Sequence, residues 1–203
     1  MKKLMIMTAV AVFGLSQVNA QEVETSYGFD ESDIMLEGGL GFNTTKDKNT
    51  DTKTSGFSIN PRVGYFITED FAVGVEGAFN TATREVAGID TGDNKSFGAG
   101  IFARYYFLDL GKRFKTYTEL GVGYVSSKDK IADIKADGFG VGLNLGINYF
   151  VTETIAISFG LADVVSYSSA KVDGGEAVSG FNGNINVFNN FFDTAQFGLL
   201  FKL

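Results

Sequence analysis

The feature that most constrains this chain is a period of two in its apolar residues, which begins near residue 33 and recurs to the C-terminus. In the first segment Ile34, Leu36 and Leu40 fall on one face, whereas Glu37 and Asn43 fall on the other. About ten residues are what a tilted β-strand needs to cross a bilayer. The alternation predicts eight strands of this kind, at 34–43, 57–65, 71–79, 97–107, 115–125, 138–149, 154–163 and 194–203.

The connections between these segments alternate in length. The long, polar ones are 44–55, 81–96, 126–137 and 164–193, and the short ones are 67–70, 108–114 and 150–153. A membrane barrel has short turns at one end and long loops at the other, whereas a soluble antiparallel barrel has no reason for this asymmetry. The sequence therefore predicts an all-β fold, an eight-stranded antiparallel up-and-down transmembrane β-barrel, over residues 33–203.

The N-terminus has the parts of a secretory signal peptide. Lys2 and Lys3 form a basic start, residues 4–15 are apolar, and Val18 and Ala20 place small residues before a cleavage site. The apolar run is too short to span a bilayer as a helix. We therefore expect export, with a signal peptide at 1–20, a short periplasmic segment at 21–32 and the barrel in the bacterial outer membrane.

The composition excludes much chemistry. The chain has no cysteine and no histidine, which removes disulfides, thiolate metal sites, the usual zinc ligand and the Ser–His nucleophile pair. It has 17 basic residues, two of them in the predicted signal peptide, against 24 acidic ones, so its surface is a poor partner for nucleic acid. We expect no enzymatic activity, no metal, no cofactor and no nucleic-acid partner.

Aromatic residues recur at both ends of the apolar face of the predicted strands. Two aromatic belts that bound an aliphatic band are the girdle expected at the two interfaces of a membrane. Those beside the long connections are Phe42, Phe57, Phe79, Phe97, Tyr124 and Phe139, and those beside the short turns are Tyr65, Phe71, Tyr105, Phe107, Phe114 and Tyr149.

The opposite face is rich in glycine and carries charges of alternating sign on the first five strands. These charges are Glu37, Arg62, Glu76, Arg104 and Glu119. Their distances from the short turns place them at one height in the lumen, where burial requires that they pair. The prediction is a lumen charge network, which Asn144, Asn148, Gln196 and Lys202 extend.

Two stretches resemble a known family. The ending Phe197-Gly-Leu-Leu-Phe201-Lys-Leu203 and the run GYFITEDFAVGVEG at 64–77 resemble the small outer-membrane β-barrels of the OmpX and OmpA-barrel type, and the resemblance covers about 34–203. It implies contact with outer-membrane lipid and lipopolysaccharide, and with the barrel-assembly machinery during biogenesis, but no single activity. Small-barrel enzymes of similar fold use a histidine, which is absent here. We expect a monomer.

Three functions remain open. The first is a structural or surface-interaction barrel whose lumen is plugged by the charge network, and the second is a small porin-like channel for ions or small solutes. The third is an exported soluble lipocalin-like binder, which would place Arg62 and Glu76 on the outer surface. Two features are irregular: Pro61 interrupts a predicted strand, and 180–193 fits either an extension of the last hairpin or an irregular loop.

Overall fold

The computed structural model describes residues 26–184 and 196–203, and the signal peptide predicted at 1–20 lies outside them. Within this part of the chain no helix has the length and apolar character to cross a bilayer. The strands are β1 (Ile34–Asp47), β2 (Thr52–Thr68), β3 (Phe71–Val86), β4 (Ile89–Asp109), β5 (Phe114–Asp129), β6 (Ile134–Phe150), β7 (Ile155–Val172), β8 (Ala177–Gly183) and β9 (Gln196–Lys202).

Eight of these strands form a closed antiparallel ring. Strands β1 to β7 pair in sequence order, and β9 closes the ring between β7 and β1. Strand β8 pairs with the far half of β7, from Lys171 opposite Ala177 to Val165 opposite Gly183. The all-β antiparallel barrel predicted from the sequence is therefore confirmed. The part of 180–193 that the structure describes continues the last hairpin, and the remainder lies outside the described residues.

The two ends of the ring differ in their turns. The three short turns are where the sequence predicts them, between β2 and β3, β4 and β5, and β6 and β7. The prediction of long loops at the other end is wrong, because the strands continue and close in tight turns at 48–51, 87–88, 130–133 and 173–176. If the barrel spans a bilayer as the sequence predicts, both strand faces meet water beyond it, so a β-ladder can continue there without apolar alternation. We call the two ends the short-turn end and the long-hairpin end.

The two faces of the ring separate apolar from polar residues. On β5, Leu120 and Val122 are exposed on the outer wall, whereas Glu119, next to Leu120, is buried inside. Arg62 and Glu76 also lie inside, joined by an ion pair of 3.0 Å. This arrangement contradicts the soluble lipocalin-like alternative, which required both charges on the outer surface.

Pro61 coincides with the irregularity expected in β2. The ladder between β2 and β3 runs to Ile59 opposite Phe79 and resumes at Arg62 opposite Glu76, so that Asn60 and Pro61 have no partner on β3. Proline has no N–H to donate to a neighbouring strand, which explains the local break.

The segment before β1 enters the barrel at the short-turn end. Phe29 is 7% exposed there. Its ring stacks on that of Phe66 with centroids 4.0 Å apart, and lies 5.1 Å from Tyr106 and 5.3 Å from Phe150. We call these four rings the aromatic cluster; they fill the lumen at this end.

Polar contacts hold this segment in place. The backbone N–H of Ser32 donates to the carbonyl of Phe66, and the N–H of Phe66 donates to the carbonyl of Asp33, both at 2.9 Å. The Lys202 ammonium group lies 3.2 Å from the carboxylates of both Asp30 and Asp33. The segment before the barrel is therefore attached to β2 and to the last strand.

The substitution Phe29→Ala tests the contribution of the aromatic cluster. We expect it to lower the free energy of unfolding by about 3 kcal/mol, because a buried phenylalanine is replaced by a cavity. Urea titration of the protein refolded in detergent micelles measures the change. The matched control Phe181→Ala removes an exposed ring on β8 and should change stability by less than about 0.5 kcal/mol. Equal losses in both variants would contradict a specific role for Phe29.

Candidate functional site

The structure brings the five predicted charges together in one lumen charge network. Arg104 is fully buried, with its guanidinium 2.8 Å from Glu37 and 2.7 Å from Glu119. Arg62 lies 3.0 Å from Glu76 and 3.9 Å from Glu37, and also pairs with Glu119. Each arginine therefore contacts both Glu37 and Glu119, and these two carboxylates bridge the two cations.

Strand register creates this arrangement. Arg62 on β2 is the direct cross-strand partner of Glu37 on β1 and of Glu76 on β3, and Arg104 on β4 is the partner of Glu119 on β5. The contact from Arg62 to Glu119 then crosses the lumen between strands that are not neighbours. The network thereby ties five consecutive strands together from inside the barrel.

Aromatic rings cover both arginines. The Arg62 guanidinium lies 4.4 Å from the centroid of Phe102, and that of Arg104 lies 4.0 Å from the centroid of Tyr117, which are cation–π distances. Glycine makes room for these rings, because a Cβ at Gly74 would collide with Phe102 and a Cβ at Gly146 with Tyr117. The glycines that face the lumen therefore provide the space in which these large aromatic rings pack.

Hydrogen bonds connect the network to the aromatic cluster. Arg104 Nη1 donates to the Tyr106 hydroxyl at 3.3 Å, and Asn148 Nδ2 donates to the same oxygen at 2.7 Å. Ser158 donates in turn to Asn148 Oδ1 at 2.9 Å. Tyr106 also packs on Phe29. The charge network and the aromatic cluster are therefore in direct contact and fill adjacent sections of the lumen.

The four polar residues predicted to extend the network have different positions. Asn148 joins it through Tyr106, and Asn144 lines a cavity beside it. Lys202 binds the segment before β1 instead, and the Gln196 side chain lies outside the described residues.

A polar cavity of about 560 Å³ lies on the long-hairpin side of the network. Ser58, Asn60 and Asp163 line its wall, and Arg62 and Glu119 form its floor. The described residues include no group of three acidic, histidine or cysteine side chains placed to hold a metal ion. The cavity is therefore a polar vestibule that ends on the charge network.

The twelve predicted girdle residues lie on the outer wall, where ten of them are exposed and Phe71 and Tyr149 are half-buried. At the long-hairpin end they form directly opposed pairs, namely Phe42 with Phe57, Phe79 with Phe97 and Tyr124 with Phe139. We call these six residues the upper aromatic belt.

Sequence reasoning missed the inward aromatic residues. Phe66 and Phe102 stand at even spacings from Arg62 and Arg104 on the same strands, so the period of two places them inside. For Phe29 the sequence offers no such signal, because the segment before β1 has no strand periodicity.

Comparisons with known proteins found one matching family and several solved structures that are similar to this chain. The family model of the outer membrane protein beta-barrel domain matches residues 7–199. The outer membrane protein OprG from Pseudomonas aeruginosa is 17% identical, with 87% of this chain and 98% of that one covered and a TM-score of 0.47. Neisserial surface protein A is 18% identical, with 84% and 96% covered and a TM-score of 0.46. No curated protein matches the chain.

The substitution Arg104→Met tests the charge network. We expect a loss of about 3–5 kcal/mol in the free energy of unfolding, because Glu37 and Glu119 lose their buried partner. Adding Glu37→Gln should restore part of the lost free energy of unfolding, because it removes a buried carboxylate that Arg104→Met leaves without its partner. Lys128→Met, which breaks an exposed ion pair with Asp133 of 2.8 Å, should cost less than about 1 kcal/mol. Similar losses for the two single variants in urea titrations would contradict the network's role.

Proposed function

The chain belongs to the outer membrane protein beta-barrel domain family, and from this premise we propose that it is a barrel with a closed lumen. Its role is then structural or one of surface interaction: the ring of strands anchors it in the outer membrane, and its hairpins extend from the surface. In this proposal the long-hairpin end faces the outside and the short-turn end faces the periplasm, as in other barrels with this asymmetry.

The burial of Arg104 between Glu37 and Glu119 carries this proposal. An ion path through this section would have to separate buried charge pairs, and a buried charge without its partner costs about 3–5 kcal/mol. The aromatic cluster adds a second, apolar barrier below it, in which the ring of Phe29 packs on Phe66. The charge network and the aromatic cluster are thus two successive closures of the lumen, one made of ion pairs and one of packed rings. Together they favour a plugged barrel over an open pore.

The length of the hairpins supports the surface role. Strand β4 has 21 residues, about twice what a tilted strand needs to cross the bilayer. The excess lies at the long-hairpin end and carries polar and charged residues of both signs, such as Arg84, Glu85 and Asp93. In this proposal, these hairpins are the surfaces through which the described part of the chain meets other molecules outside the membrane.

The polar vestibule favours a second candidate, a small porin-like channel. Solutes that enter the cavity of about 560 Å³ would reach Arg62 and Glu119. Passage would then require the ion pairs of Arg62 to exchange partners, so this candidate differs from the first in one measurable property, conductance.

Single-channel recording in planar lipid bilayers decides between the two. We expect the wild-type protein to give no discrete openings, because both closures remain in place. The double variant Phe29→Ala, Arg62→Ala removes a large side chain from each closure and should give measurable openings. Heat-modifiable mobility on gels shows that each preparation is folded. Reproducible wild-type openings that disappear in Arg62→Gln would contradict the closed lumen and support the channel.

A further inference from the structure

Asp163 on β7 faces the polar vestibule because the ladder between β6 and β7 is irregular on both sides of it. Ser158 lines the lumen, so an unbroken alternation would turn Asp163, five residues later, to the outer wall. Leu161 and Val164 have no partner on β6, and the two register shifts that they mark lie on either side of Asp163. The first shift turns Asp163 inward, opposite Asn144, and the second restores the alternation beyond it.

The two register shifts distort the barrel wall around a single carboxylate. An extra residue in a strand leaves backbone groups outside the ladder, and such bulges are frequent where a strand re-aims a side chain beside a functional site. They are costly in a membrane barrel, because lipid offers no substitute hydrogen bond to the backbone. The position of Asp163 in the lumen is therefore a specific feature of this wall.

Asp163 meets no positive charge in the lumen. Within residues 26–184 and 196–203 its side chain forms no ion pair and no hydrogen bond, and it is exposed to the vestibule. Arg62, which forms part of the floor of the same cavity, already contacts three glutamates. An internal ion pair therefore does not explain why β7 turns this carboxylate inward.

The lumen charges around the vestibule do not balance. The three glutamates of the charge network share two arginines, and Asp163 adds a fourth carboxylate. Among the described residues that face this section of the lumen, carboxylates therefore outnumber guanidinium groups by two. A cleft with low-dielectric walls and an excess of one sign concentrates ions of the opposite sign. The charge balance therefore favours a cationic ligand in the vestibule.

The floor of the vestibule keeps unused acceptor capacity. Glu37 and Glu119 line it, and their side chains are only 8% and 5% exposed. Glu37 Oε2 lies near both arginines but accepts no hydrogen bond from the described residues. A carboxylate can accept about four hydrogen bonds, and the arginines use one on each oxygen of Glu119. A donor that enters the vestibule therefore finds buried carboxylates to bind.

Strand register places three acceptors in one row on the vestibule wall. Glu119 is directly opposite Asn144, and Asn144 is directly opposite Asp163, across β5, β6 and β7. Neighbouring strands lie about 4.8 Å apart, so the backbones of the two acidic residues are about 10 Å apart, with Asn144 between them. An ammonium group is a compact donor of three hydrogen bonds. The row therefore suits a linear molecule with an ammonium group at each end.

The cavity favours an organic cation over a metal ion. Its volume of about 560 Å³ lies within the range of small-molecule sites. The described residues include no group of three side chains placed to hold a metal ion. Ser58 and Asn60 on β2 add neutral hydrogen-bonding groups to the lining, and Gly39 and Gly41 on β1 leave room beside them. The vestibule can therefore hold a flexible chain that carries its charges at its ends.

We infer that the polar vestibule binds a short aliphatic diamine, with one ammonium group on Asp163 and the other on Glu119 at the floor. Glu37 adds negative charge beside the deeper ammonium group, and Asn144 accepts a hydrogen bond between the two ends. The bound diamine balances the two excess carboxylates and gives Asp163 its partner. The site requires the inward charges and entry from the long-hairpin end, and does not depend on whether the lumen conducts.

Isothermal titration calorimetry of the refolded protein in neutral detergent micelles tests this inference with three four-carbon probes. Putrescine carries an ammonium group at each end, 1,4-butanediol carries neutral hydroxyl groups, and succinate carries carboxylates. At neutral pH and physiological ionic strength we expect saturable one-to-one binding of putrescine and no binding of the other two. No saturable heat with putrescine, or a similar affinity for butanediol or succinate, would overturn the inference.

Two aspartate variants locate the site. Asp163→Asn should weaken putrescine binding about tenfold, because a hydrogen bond to a charged group contributes about a factor of ten. The matched control Asp173→Asn makes the same change in net charge in the exposed turn between β7 and β8 and should leave the affinity unchanged. Heat-modifiable mobility checks that each variant folds, and Asn144→Ala, which removes the central acceptor, replaces Asp163→Asn if it does not. Unchanged affinity in the site variant, or an equal loss in the control, would contradict the site.

Discussion

Closure of the sheet on itself is the constraint on which the rest of this structure depends. Lipid offers no hydrogen-bonding partner to backbone groups, so a sheet in a bilayer must pair every strand on both sides. Here β9 supplies the last pairs, with Met35 opposite Lys202 on one side and Ile155 opposite Phe201 on the other. Once the ring is closed, the period of two assigns each residue to lipid or to the lumen, and apolar residues take the lipid side.

The narrow interior of an eight-stranded ring then determines what lies inside it. Charges cannot remain unpaired there, and the cross-strand register from Glu37 to Glu119 supplies the pairs. Glycines at Gly74 and Gly146 leave space for aromatic rings that cover the arginines. Below this layer Phe29 completes an apolar closure. The lumen is thus filled by a small number of large side chains, and glycine is frequent because those side chains need room.

Sequence reasoning predicted the strands, the short turns and the five lumen charges, because the bilayer imposes a strict apolar alternation within the membrane. Sequence reasoning failed for segments outside the bilayer, where no constraint on the alternation of apolar residues applies. The hairpins beyond Phe42 or Phe97 continue as strands in water, where both faces are polar and the alternation disappears. Phe29 precedes β1 and is placed by tertiary packing alone.

The most direct test of this account is a nitroxide scan of β2, which the absence of cysteine from the chain makes simple. Single cysteines replace Phe57, Ser58, Ile59 and Asn60 in turn, and each is spin-labelled in phospholipid vesicles. Phe57 and Ile59 lie on the outer wall, whereas Ser58 and Asn60 line the polar vestibule. Labels at 57 and 59 should collide more with oxygen than with a hydrophilic nickel chelate, and labels at 58 and 60 should show the reverse. The absence of this alternation, or its inversion, would contradict the assignment of the two faces.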